Sequence, residues 1–234
     1  MKREKSMRAG YLCFMAVMEK LVLKGETLWL TAERCIFWED KKTLILSDLH
    51  IGKTGHFRKA GIALPQGIFK KDLQRLFSQI QYFKPEELII VGDLFHSHAN
   101  KELDLFLKWR DDLSSLSIHL IKGNHDILAA KFYTNVNIKT SDIHFSENGF
   151  CFTHDINDLC EEDGKKSYTF SGHIHPGVTI SGGGRQSLTF PCFYFGKEYS
   201  VLPAFSLFTG TYKIRPMKGD KVFAIVEDKL VALH

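Results

Sequence analysis

At 234 residues, 44% apolar and 25% charged, the chain has the make-up of an ordinary globular domain, which argues against disorder and against a fibre. The net charge of +4 does not point to a nucleic-acid partner, because Lys2, Arg3, Lys5 and Arg8 against Glu4 supply +3 and leave residues 9–234 at +1; only a local patch could carry such an argument. Cys13, Cys35, Cys151, Cys160 and Cys192 include no C-x-x-C pair, so neither a disulfide scaffold nor a cysteine zinc site is expected. No apolar run approaches the ~18 residues of a membrane span. Tyr11–Val17 is short for a signal peptide and lacks a clear cleavage site. The expectation is a flexible extension over 1–17, with a start at Met15 or Met18 as an alternative, then a single domain over 18–234 in the cytoplasm. Oligomeric state is not legible.

In chain order, short apolar runs end on polar clusters: Thr43–Ser47 runs into Asp48-Leu-His50, Glu87–Val91 into Gly92-Asp93, and Ile118–Lys122 into Gly123-Asn-His-Asp126. Buried strands that deliver a site have this form. Ile68, Leu73, Leu76, Phe77 and Ile80 recur at helical spacing before Pro85, and Leu103, Phe106, Leu107 and Trp109 repeat the pattern. Alternating strands and helices predict right-handed crossovers and a parallel sheet. Past residue 134 the runs shorten, with Phe150–Thr153 before His154 and Tyr168–Ser171 before Gly172-His-Ile-His175. A second, mostly antiparallel sheet stacked on the first, with helices outside, is the economical reading.

Polar residues repeated at strand ends suggest a shared site. Asp48 and His50, two apart on a strand, would share one face. With Asp93, Asn124, His154, His173 and His175 they make seven donors, which suits two divalent cations bridged by a carboxylate, Asp93 being the natural bridge. Mixed imidazole, carboxylate and amide ligation admits manganese, the preferred pair, or iron or zinc. A single histidine beside an apolar run is ordinarily structural, and His98, His119 and His144 read that way. Phe69, Phe77, Phe83, Trp109 and the Phe190–Phe195 cluster read as core. Lys53 and Arg58 follow the first motif, where a cation could hold a phosphate.

The ordered set D-x-H, G-D, G-N-H-D, a lone His and G-H-x-H resembles the calcineurin-like metallophosphoesterases. The resemblance implies an α/β fold: a four-layer αββα sandwich of two mixed β-sheets flanked by helices. It also implies that Asp48, His50, Asp93 and His175 hold one metal and Asp93, Asn124, His154 and His173 the other. His125 would protonate the leaving oxygen. Where many family phosphatases have Asp three residues after the bridging Asp, this chain has His96. Gly92–His96 thus resembles the nuclease subunit of double-strand-break repair complexes, with His96 supporting His125 or the transition state. Asp48–Lys53, Phe57–Gly61, Gly92–Ser97, Phe190–Phe193 and Leu202–Phe205 are similar to the ligase-associated DNA damage response endonucleases. That similarity implies DNA, or another phosphodiester, as substrate and a functional link to a DNA ligase and a helicase. Two alternatives stay open: a phosphatase or phosphodiesterase on nucleotides or other small molecules, and a non-catalytic scaffold.

Overall fold

The computed structural model describes residues 14–53, 68–96, 101–158, 160–162, 165–182 and 186–233. The first half holds β1 (Phe14–Ala16), β2 (Met18–Leu23), β3 (Glu26–Thr31), β4 (Ile36–Trp38), β5 (Thr43–Leu46), α1 (Ile68–Phe83), β6 (Glu87–Val91), α2 (Lys101–Asp112), β7 (Ser117–Ile121), α3 (Ala130–Asn135) and β8 (Ile138–Ser141). The second half holds β9 (His144–Glu147), β10 (Phe150–Thr153), the two-residue strands β11 (Glu161–Glu162) and β12 (Lys165–Lys166), β13 (Tyr168–Ser171), β14 (Pro176–Ser181), β15 (Ser187–Phe195), β16 (Tyr199–Val201), β17 (Tyr212–Lys213), β18 (Lys221–Val226) and β19 (Lys229–Leu233).

Strands β2 to β8 lie in sequence order in a seven-stranded sheet, in which β5, β6, β7 and β8 run parallel. The other large sheet is mixed: β10 pairs in parallel with β13, and β13 with β16, while β15, β18 and β19 pair antiparallel. β1 lies within the stretch expected to be a flexible extension, yet it pairs antiparallel with β19, Phe14 opposite Ala232.

Side-chain alternation along β5, β6 and β7 explains why the sheets stack. Ile45, Ile89, Val91 and Ile121 face inward onto Phe150, Phe152, Phe170 and Phe193. Leu44, Leu46, Leu88, Ile90, Ile118 and Leu120 face outward, under Leu73, Leu76 and Ile80 of α1, Leu103 and Phe106 of α2 and Tyr133 of α3. The strand period of two thus supplies two apolar faces from one run. Among the described residues all three α-helices lie on this side. The far face of the second sheet is covered by β14 and neighbouring segments, through Val178, Ile180, Phe190 and Ile214. Trp109 and Phe83 join the core as expected, whereas Phe77 is partly exposed. Cys151 and Cys160, for which no pairing was anticipated, have Cα atoms 6.1 Å apart, a spacing that a disulfide takes.

His119 is buried on β7, its Nε2 2.9 Å from the Ser141 hydroxyl and its ring 4.2 Å from that of Phe145. Burial first, then Lys139, pushes it down to about 4, against the pull of Glu147. A folded-state value below the unfolded one means that its contribution is complete above pH ~6.5 and is lost as pH falls towards 4. His119→Gln should therefore lose less stability than the native protein between those pH values, as measured by urea midpoints.

Candidate metal centre

Five parallel strands, β5, β6 and β7 of one sheet and β10 and β13 of the other, each run into chemistry at the carboxyl end. Their loops are tied together by main-chain bonds: Asp48 N–H donates to Gly92 O, His50 N–H to Asp93 O, and Gly172 N–H to His154 O. Donors far apart in sequence are held in one place by backbone.

The local conformation departs from the strand pairing expected for D-x-H. β5 stops at Leu46, and Asp48 and His50 both have left-handed backbones, with φ of 54° and 49°. His173 and His175 repeat this arrangement, with φ of 68° and 49°, and Asp93 has φ of 50°. Both x-spaced pairs thus arise from two left-handed residues flanking one other, and not from the pleat of a strand. Such conformations cost roughly 1–2 kcal/mol each outside glycine. Five of them among seven candidate donors mark a site whose shape is imposed by its surroundings.

The donors form two groups. In the first, Asp48 Oδ1 lies 3.3 Å from His175 Nε2, and His175 Nε2 lies 3.5 Å from His50 Nε2. In the second, His154 Nε2 lies 3.2 Å from Asn124 Oδ1 and 3.1 Å from His173 Nδ1. Asp93 Oδ2 sits between them, 3.9 Å from His50 Nε2 and 3.6 Å from His154 Nε2. Asp48, His50 and His175 offer atoms within 4.8 Å of one another, and so do Asp48, Asp93 and His154. Asp48 is therefore common to both compact triads, while Asp93 faces both groups.

Asp48, His50, Asp93 and His154 are buried, and His173 and Asn124 are exposed. Burial pushes the Asp48 carboxyl up, but His175, His154 and His50 together hold it below its ordinary value. Burial raises Asp93, against His154. Burial also drives His50 down to about 2, which keeps its ring neutral with a free lone pair. Asp48 Oδ1 is buried and accepts no hydrogen bond of good geometry, the condition of a carboxylate oxygen shaped for a cation.

His125 donates its main-chain N–H to Asp93 Oδ1 at 2.9 Å. Its ring centroid lies 4.4 Å from that of His96 and 5.6 Å from that of His50. Lys53 donates its N–H to His50 O, and its ammonium is lowered by burial and raised by Asp48 and Asp93. Arg58 and His98 lie outside the described residues.

Asp126, to which the motifs assign no role, lies behind the site. Its buried carboxylate accepts N–H bonds from Leu94, Phe95 and Gly123 and so fixes the Asp93 loop to the Asn124 turn. Burial raises it to about 6. Nor do the motifs assign the support behind Asp48. Phe205 N–H bonds Ser47 O and Ser206 N–H bonds Asp48 O; Asp72 accepts from the Ser206 hydroxyl, and Arg75 bonds Phe205 O. The segment Leu202–Phe205, singled out by its motif, is the backing of this candidate ligand. Beside the second group a cavity of about 410 Å³ opens between Lys122, Asp142, Asp155 and Asp158.

Residues 41–191 match the family model described as calcineurin-like phosphoesterase. Among solved structures, the Pseudomonas putida nuclease MPE is 29% identical, with a TM-score of 0.74, over 89% of this chain and 96% of that one. The phosphoesterase YfcE from E. coli is 14% identical, with a TM-score of 0.41, over 80% of this chain and 90% of that one. No curated protein matches the chain.

Two glycines admit this packing. A Cβ on Gly123 would stand 2.2 Å from Asp93 Oδ1 and 2.6 Å from its main-chain nitrogen, and one on Gly92, which has φ of 80°, would stand 1.9 Å from His154 Nδ1. Gly123→Ala should displace Asp93 and lower bound metal, measured by plasma emission, while far-UV circular dichroism stays native.

Proposed function

The chain belongs to the calcineurin-like phosphoesterase family, whose chemistry is metal-dependent phosphoester hydrolysis, and from that premise we propose a two-metal phosphodiesterase acting on DNA. The observation that carries the reading is the pair of donor groups meeting at Asp93, with Asp48 in both compact triads. Asp48, His50, Asp93 and His175 would hold one cation, and Asp93, Asn124, His154 and His173 the other. The donor set and the crowding at Gly123 fit such ions. Manganese is our preferred pair, and iron or zinc is compatible with the same donors. When bound, paired divalent cations polarise phosphoryl oxygens and supply an acidified water for in-line attack.

The chain's own groups do the rest. His125, anchored through its N–H to Asp93, carries its ring beside the centre, where it hands a proton to the departing oxygen. His96 packs against that ring and limits its swing. Lys53 adds a positive charge near Asp48 and Asp93, suited to a non-bridging phosphoryl oxygen, and Arg58 would hold an adjacent phosphate. DNA as substrate is supported by His96 in its motif and by the likeness to the nuclease from Pseudomonas putida. Work alongside a DNA ligase and a helicase is supported by the sequence resemblance. Among the described residues no helix is long and apolar enough to cross a membrane.

The test is a rate profile over manganese-, iron- and zinc-loaded protein with single- and double-stranded DNA, bis(p-nitrophenyl) phosphate and p-nitrophenyl phosphate. The manganese form should cut both diester types faster than the monoester. His125→Ala should keep its metal and lose about 10²- to 10⁴-fold in turnover, whereas Asp93→Ala should lose metal and turnover together. A fully loaded protein that leaves DNA uncut while hydrolysing monoesters or nucleotides would move the substrate to that class.

A further inference from the structure

The second sheet carries an edge that the hydrolytic site does not use. Immediately after His175, β14 pairs in parallel with β17, Pro176 opposite Tyr212. Tyr212 N–H donates to His175 O at 2.9 Å, and Ile214 N–H donates to Gly177 O at 2.9 Å. Tyr212 is thus fixed by backbone to a candidate metal-ligating residue, one strand spacing away, yet its side chain is 67% exposed. Exposure on that scale is unusual for a tyrosine at the rim of a core, whose ring ordinarily packs.

The segment that continues from Tyr212 is Lys213-Ile-Arg-Pro-Met-Lys218, with three cations and no acid. Lys213, Arg215 and Lys218 are exposed, and none forms an ion pair among the described residues. Ile214 anchors the segment in the apolar cluster outside the second sheet. At the far end, Asp220 accepts the Met217 N–H and the Tyr194 hydroxyl, which pins the turn. The cations are therefore presented from a fixed backbone. The opposite flank of the site has the other sign. Asp142, Asp155 and Asp158 border the cavity beside His154 and His173 against one cation, Lys122, which is already paired with Asp142 at 2.9 Å.

Resting on the DNA reading above, we propose that Tyr212, Lys213 and Arg215 form the docking track for an unpaired DNA strand, which runs from the metal centre along β17 and away from the acidic flank. An exposed ring at the edge of a site stacks on any unpaired base, and flanking cations follow the phosphates; single-strand binding surfaces combine these two elements. Continuity with His175 aligns the track with the reacting phosphate. Charge complementarity selects a polyanion on this side and repels it on the other.

Lysines on an edge strand also serve to block strand pairing, so the test must separate docking from edge protection. The measured quantity is kcat/KM for a labelled oligothymidylate divided by kcat/KM for bis(p-nitrophenyl) phosphate, with the manganese-loaded protein. Tyr212→Ala should lower this ratio about tenfold, mainly through KM, and Tyr212→Phe should restore it, since base stacking needs the ring and not the hydroxyl. Lys213→Ala combined with Arg215→Ala should reduce the slope of log KM against log salt by about 1.4, from roughly 0.7 per phosphate on a single strand. Native ratios and slopes in all variants would overturn the track, as would an equal loss on both substrates in Tyr212→Ala, which would assign the ring to support of His175. Native protein that hydrolyses the small diester and leaves the oligothymidylate intact would remove the DNA reading and the track together.

Discussion

Asp48 and Asp93 are buried within the same few ångströms, and that single constraint governs the rest of the molecule. Two carboxylates cannot both stay ionised in a low-dielectric interior unless positive charge joins them. Burial pushes both up, and histidines offset it: Asp48 ends below its ordinary value and Asp93 above. The imbalance would be relieved by cations placed between them. His50 is a poor source of that charge, since burial drives it towards neutrality.

Holding such a set requires more than the side chains. Strained left-handed backbones at Asp48, His50, Asp93, His173 and His175 persist because each loop is bonded to a neighbour, Asp48 to Gly92 and His50 to Asp93 among them. The carboxylate of Asp126 does the same for the third strand end. The aromatic layer of Phe150, Phe152 and Phe170 between the sheets then fixes how far His154 and His173 stand from Asp93. Precision in the site is inherited from packing several residues away.

Much of this was legible in the sequence. The order of polar clusters after apolar runs identified the strand ends, and the alternation of strands with helices foretold a parallel sheet under helices. The left-handed turns were not legible. D-x-H and H-x-H have the spacing of a pleated strand, and although aspartate and histidine enter the left-handed region more often than most residues, the spacing alone does not mark where they do. Asp126 and Asp72 escaped notice because a buried carboxylate accepting main-chain bonds has no sequence signature distinct from that of a solvated one. The packing of β14 over the second sheet was hidden for a related reason: β14 and the start of β15 mix apolar with polar residues, so their covering role depends on a partner brought from elsewhere in the chain.

The backing of Asp48 by the 203–207 segment reaches outward to α1, where Asp72 and Arg75 grip it, and Arg75 also bonds the main chain and carboxylate of Glu33. An outer helix and the innermost carboxylate are therefore one mechanical unit. In a genetic screen, inactivating changes at Arg75, on a helix outside the sheet, would resemble folding lesions, while their biochemical phenotype would be that of a displaced Asp48.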